Sequence, residues 1–196
     1  MGLSVNELFF NVIGREPDGF VSWNEPVYVY EKGIYVVVAD RPTNAEDISE
    51  VKIEKWIEQV PRMLIDDQMA SVTTLKKRLT RFIDPNEQIL YIGKTDKTIK
   101  ERVSQFYSHV LSKPSPHRGG HWIKSISDMS LLKVYYAVVE MPADVEFQML
   151  DYYSKHITNI GHTEFYDSDC IVPFANLQKN NGCRKKHGIK KQDTRG

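Results

Sequence analysis

Residues 88–110, QILYIGKTDKTIKERVSQFYSHV, change structural period within a few positions. QILYIGK is rich in aromatic and β-branched types and follows the turn signal Asp84-Pro85-Asn86, which predicts a short strand. Beyond it, Ile99, Val103, Phe106 and Val110 recur at three- and four-residue spacing, which predicts a helix over 98–112 that stops before Pro114. Helix follows strand here, and the count of strands and helices along the whole chain gives an α+β domain.

Working outward, residues 20–39 read as two strands punctuated by Pro26 and Gly33, the second apolar almost throughout. Between 43 and 83, Ile48, Val51, Trp56, Ile57 and Val60 repeat with helical spacing, and after Pro61 a second periodic stretch runs from Met63 to Phe82. This predicts a helical insertion. On the C-terminal side, PSPHRGG is a loop, HWIKSI a short helical piece, and LLKVYYAVVE (131–140) a third core strand. A helix over 143–158 opens just after Pro142, and 159–196 reads as irregular with a basic end that orders on a partner. The expectation is one domain, 1–196. It has a small, mainly antiparallel three-stranded sheet flanked by helices, with 43–83 as insertion and 177–196 as a basic C-terminal segment.

Of the 196 residues, 41% are hydrophobic and 27% charged, which excludes a disordered or collagen-like chain. No apolar run approaches the roughly 18 residues of a membrane span, and MGLSVNELFF does not read as an export leader. A cytoplasmic protein without membrane contact is expected, with Cys170 and Cys183 as reduced thiols. A soft-ligand cluster of His162, Cys170, Cys183 and His187 lacks a standard zinc spacing, and unrelated thiols and histidines are the plainer reading.

The 26 bases match the 26 acids in number but not in place. Residues 94–124 hold seven bases and two acids, and 179–196 hold seven and one. Two local basic stretches on a neutral chain suit a phosphate-bearing partner; a charged helix face plus a solvated tail is the alternative. Within the basic end, Lys179, Arg184, Lys185 and Lys186 are candidates for phosphate and base-edge contacts, against a merely solubilising role.

Two side chains stand out on physical grounds. Glu146 precedes Met149, Leu150, Tyr153 and Ile157 by 3, 4, 7 and 11 positions, which puts a carboxylate on the apolar stripe of its helix. Such a group calls for a cation, unless it serves only the helix macrodipole. Arg102, one turn before Phe106, offers a planar fork matched to phosphate oxygens, unless it makes an ordinary exposed ion pair.

The paired motifs GIYVVV and LYIGKT, the run KERVSQF after YIGK, and a Glu-bearing helix after a third strand together resemble the GIY-YIG nuclease family. The resemblance implies that two tyrosines, an arginine and a glutamate surround one divalent metal and a scissile phosphate. The matching positions here are Tyr35, Tyr91, Arg102 and Glu146, and Asn176 of PFAN matches a late asparagine, expected among the nucleic-acid-binding residues. It further implies Mg²⁺ or Mn²⁺ held by Glu146 and a tyrosine, assisted by Lys94, that deprotonates water. Tyr35 is the expected base and Tyr91 the positioning group. Arg102 would stabilise the transition state, and hydrolysis would leave 3′-hydroxyl and 5′-phosphate ends. A restriction-type enzyme on double-stranded DNA is the expected role, and a homodimer is the arrangement that would cut both strands.

Two departures from the family pattern bear on function. Fifty-five residues separate Tyr35 from Tyr91, an insertion, and Phe106 stands where many members carry Tyr or His. His109, on the next turn, is the candidate to compensate. The competing readings are a non-catalytic nucleic-acid-binding module on the same scaffold, and a nuclease for RNA or branched DNA.

Overall fold

The computed structural model describes residues 2–60, 62–108, 118–180 and 182–191. Its centre is β2 (Gly33–Ala39), whose seven residues GIYVVVA are all buried. An uninterrupted apolar strand of this kind must be covered on both faces. It pairs antiparallel with β5 (Ile89–Thr95) on one side and β6 (Leu132–Val138) on the other, and β1 (Gly19–Ser22) adds beyond β6. The sheet is therefore four-stranded, in the order β1-β6-β2-β5, not three-stranded as expected. The extra member is the short segment at 19–22, which can bond through only one of its edges to β6.

Alternation along β2 divides the core. Tyr35, Val37 and Ala39 face a cluster with α2 (Glu50–Gln59), α3 (Val72–Thr80), α4 (Ile99–Ser108) and α5 (Arg118–Lys124). Ile34, Val36 and Val38 face α1 (Val5–Ile13) and α6 (Pro142–Ile160). In α6 the predicted stripe Met149, Leu150, Tyr153 and Ile157 is buried, Pro142 stands in the first turn, and Gly161 closes the helix at φ 77°. Among the described residues there are six α-helices and the pairings are antiparallel, an α+β architecture.

The insertion is only partly helical. Where the periodicity predicts a helix from Met63 onward, the chain forms a hairpin of β3 (Met63–Ile65) and β4 (Gln68–Met69). Asp66 and Asp67 both adopt positive φ, 48° and 67°, as a two-residue hairpin turn requires. The helix starts later, where Ser71 and Thr74 form a reciprocal cap.

The C-terminal segment is also structured where it is described. β7 (Gln178–Asn180) pairs with β8 (Cys183–Arg184), and β9 (Ile189–Lys191) joins β3 of the insertion. Cys170 and Cys183 form a disulfide with Cα atoms 5.2 Å apart, which corrects the expectation of reduced thiols. It also removes the four-ligand cluster. His162 lies beside Asp84, 3.5 Å away, while His187 packs edge-on against Trp122. No helix among the described residues is long and apolar enough to cross a membrane.

Candidate functional site

The site forms where β2, β5, α4 and α6 meet. In the β2–β5 register Tyr35 lies opposite Gly93, and Tyr91 stands two residues earlier on β5. Gly93 has to be glycine for a spatial reason. A Cβ there would lie 2.5 Å from Tyr91 Cε1, 2.7 Å from Tyr35 Cζ and 2.8 Å from the Tyr35 hydroxyl. The two rings therefore occupy the space above its backbone, with centroids 5.8 Å apart. Phe106 of α4 stacks on Tyr91 at 5.2 Å and touches Tyr35 at 6.0 Å, while Trp23 meets Phe106 edge-on at 5.6 Å. An aromatic floor results.

Over it opens a cleft of about 580 Å³ lined by Tyr91, Lys94, Thr95 and Asp96 of the β5 end, by Lys97, Glu101, Arg102 and Gln105, and by Glu146 of α6. Tyr91, Lys94, Arg102 and Glu146 thus share one cleft, although 55 positions separate the first from the last. Tyr35 lies behind it, fully buried. Its hydroxyl makes no hydrogen bond of ordinary geometry, nor does the buried Nε of Arg102, although the Tyr91 hydroxyl and the Arg102 guanidinium both stand close enough to act on the Tyr35 phenol. Lys94 Nζ meets Asp96 at 2.7 Å, and Gln105 and Lys97 both reach Glu101.

Electrostatics follow from this burial. Desolvation pushes the Glu146 carboxyl up to about 7, against the pull of Lys94 and Arg102. Burial also raises the Tyr35 phenol, with Arg102 opposing, and holds Tyr91 well above its ordinary value, with Tyr35 adding to the effect. Both tyrosines are neutral near pH 7. Lys94 and Arg102 only partly offset the cost of burying the Glu146 carboxyl, and a cation held against it would offset more. Mg²⁺ binds through one or two carboxylates and otherwise keeps water or phosphate oxygens, which Glu146 suits. No group of three or more His, Cys, Asp and Glu that could hold a metal occurs among the described residues.

Other expected site residues fall elsewhere. Asn176 is buried, accepting from Ile92 N at 2.9 Å and donating to Ile92 O at 2.8 Å, so its amide clamps the outer edge of β5 and is withdrawn from any nucleic-acid contact. Lys185 is likewise buried: Nζ donates to the carbonyls of Pro173 and Phe174, 3.1 and 2.7 Å away, above the Trp122 and Phe82 rings. Desolvation brings its pKa down to about 7. Neither role is legible from residue type, because both readings start from polarity.

Lys179 is mostly buried and pairs with Asp151 at 2.5 Å, and Lys186 pairs with Asp169. Arg184 is exposed. His109 lies outside the described residues. Sequence reasoning missed the space-making role of Gly93 and the platform role of Phe106; the Tyr-Ile-Gly spacing was the available signal for the first. Comparison with protein-family models, curated proteins and solved structures finds no match to the chain.

Proposed function

We propose that the chain is a metal-dependent DNA endonuclease of the GIY-YIG type that hydrolyses phosphodiester bonds to leave 3′-hydroxyl and 5′-phosphate ends. The observation that carries this reading is the convergence of Tyr91, Lys94, Arg102 and Glu146 on one cleft, with Tyr35 directly behind. Phosphate hydrolysis needs a cation site, a guanidinium for the added negative charge, and a group that aligns water; this cleft offers each.

The roles divide according to geometry. Glu146 would hold Mg²⁺ or Mn²⁺, and that ion, when bound, acidifies water and supports the leaving 3′ oxygen. Arg102, whose side chain lines the cleft, donates from its guanidinium to the phosphate oxygens on which charge develops. Tyr91, at the cleft, orients the attacking water; Tyr35, sealed behind it, backs Tyr91, which revises the expected assignment of Tyr35 as base. A base must reach the proton it removes, and the Tyr35 ring has no exposed surface. Lys94, anchored by Asp96, adds positive charge beside the phosphate.

Restriction-type cleavage of double-stranded DNA, by a homodimer, is the role proposed with this chemistry. Supercoiled plasmid incubated with the protein should be cut with Mg²⁺ and left intact with EDTA, and Glu146→Ala should bind DNA without cutting it. Cleavage by Glu146→Ala at the wild-type rate refutes the one-metal mechanism, and sequencing of product ends tests the 3′-hydroxyl assignment.

A further inference from the structure

Residues 27–30, Val-Tyr-Val-Tyr, alternate in burial and meet the N-terminal end of α4 through backbone hydrogen bonds. Val27 is buried and Val29 packs against the core, which turns Tyr28 and Tyr30 outward at 70% and 62% exposure. Single exposed aromatics are unremarkable, but two alternate ones turned outward from one short segment put two aromatic faces in solvent side by side. Lys100 completes it: its ammonium stands 4.6 Å from the Tyr30 ring centroid and 5.9 Å from that of Tyr28, and it donates to the Tyr30 hydroxyl at 3.0 Å.

The surface is fixed to the helix that bears Arg102. Lys100 N donates to Val29 O and Ile99 N to Glu31 O, both at 2.9 Å, so the segment satisfies the first amides of α4. Lys97, on the turn entering α4, leaves its ammonium largely in solvent. Alternate residues of an extended chain lie about 6.5–7 Å apart, a spacing that two successive splayed bases can match. Lys100 precedes Arg102 by two residues, roughly 3 Å along the axis and about 200° around it. The rings therefore sit about a helix diameter from the cleft, a distance that a strand crosses in a few nucleotides.

From this arrangement we infer that Tyr28, Tyr30 and Lys100 form a stacking platform for unpaired nucleotides of the DNA strand being cut. The inference rests on the nuclease reading and narrows its substrate. Flat π-faces take any base, Lys100 attracts the neighbouring phosphate, and a fully paired duplex presents no base face to them. The substrate would then carry unpaired nucleotides a few positions from the scissile phosphate, as a single-stranded flank or as bases turned out of a duplex.

The test is equilibrium binding of the full chain in EDTA, read by fluorescence anisotropy. The probes are a labelled 20-nucleotide single strand, a flush duplex, and the same duplex with a single-stranded flank. Tyr28→Ala/Tyr30→Ala should lose at least about tenfold in affinity for probes with unpaired nucleotides, whereas Tyr28→Phe/Tyr30→Phe keeps it. Lys100→Ala should lower the salt dependence of binding by about one ion. A loss on the flush duplex equal to that on the single strand would place turned-out bases on the rings; a loss confined to the flank and single strand would place a preformed unpaired segment there.

Equal affinity of the Ala pair and wild type for every probe overturns the platform. So does a change of sedimentation in the Ala pair without a change in DNA binding, which would make the patch a self-association surface. Because no cleavage is required, a wild-type protein that binds but never cuts leaves the platform standing while the nuclease reading falls. Wild-type protein that binds no probe removes both.

Discussion

Replacing Glu146 with Gln should make the metal-free protein more stable at alkaline pH while abolishing the proposed cleavage. The carboxyl ionises near 7 in the fold because burial penalises its charge, against 4.5 for an ordinary glutamate. A carboxyl with a raised folded pKa favours the fold while protonated. That contribution is whole below 4.5 and is lost as pH rises through 7. Linkage puts the loss between pH 5 and 8 on the order of 2 kcal/mol, once the partial solvent access of the side chain is allowed for. Gln keeps the shape and cannot ionise.

Urea or thermal unfolding in EDTA should therefore show wild type and Glu146→Gln converging at pH 5 and separating by pH 8, the variant melting roughly 4–8 °C higher. Glu87, also pushed up to about 7 by burial, imposes its own decline on both proteins and cancels in the difference. Mg²⁺ added at pH 8 should then stabilise wild type and leave the variant unmoved, as binding to the folded form alone dictates. A wild-type-minus-variant difference that stays flat from pH 5 to 8 refutes the assignment of Glu146 as an undercompensated carboxylate.

Gly93→Ala should cost cleavage at least about tenfold, because its methyl takes the space of both tyrosine rings; kcat together with near-UV circular dichroism checks it. Lys185→Ala should destabilise the fold by about 2–4 kcal/mol in urea titrations, since it strands two buried carbonyls, while Arg184→Ala leaves stability unchanged and trims the salt slope of DNA binding by about one. Reducing the Cys170–Cys183 disulfide, which closes a short loop, should lower unfolding free energy by about 2–3 kcal/mol in matched oxidised and reduced denaturation curves.

The sheet was legible where a single pattern governed a segment. The apolar run at 33–39 and the aromatic strand at 89–95 each had to be buried, and the stripe from Met149 to Ile157 had to face them. The hairpin at 63–69 was not legible. Its turn is Asp66-Asp67 without glycine, and the alternative helical period of the flanking residues is equally good on paper. The burial of Lys185 was hidden for a related reason. A lysine reads as solvated until the chain supplies two carbonyls and two aromatic faces, and those come from Pro173, Phe174, Trp122 and Phe82. Of the proposed site, the tyrosines, Arg102 and Glu146 were visible as residue types in order, whereas the depth of Tyr35 depended on how closely Gly93 lets β5 carry its ring.

Phe106 bears on how the proposed chemistry divides among these groups. A polar residue at that point would offer Tyr35 or Tyr91 a partner; the phenyl ring offers none and stacks on Tyr91 at 5.2 Å. The tyrosine pair is thereby held in an apolar setting that keeps both phenols protonated, and the Arg102 charge above it is weakly screened. Under the proposed reading the floor is a device for position, and proton transfer falls to groups that face the cleft. Phe106→Tyr puts the point to a test: with proton transfer assigned to groups that face the cleft, a hydroxyl added to this ring should leave the pH profile of cleavage unshifted. A shifted profile would bring the tyrosine pair into the proton transfer and refute the division of roles.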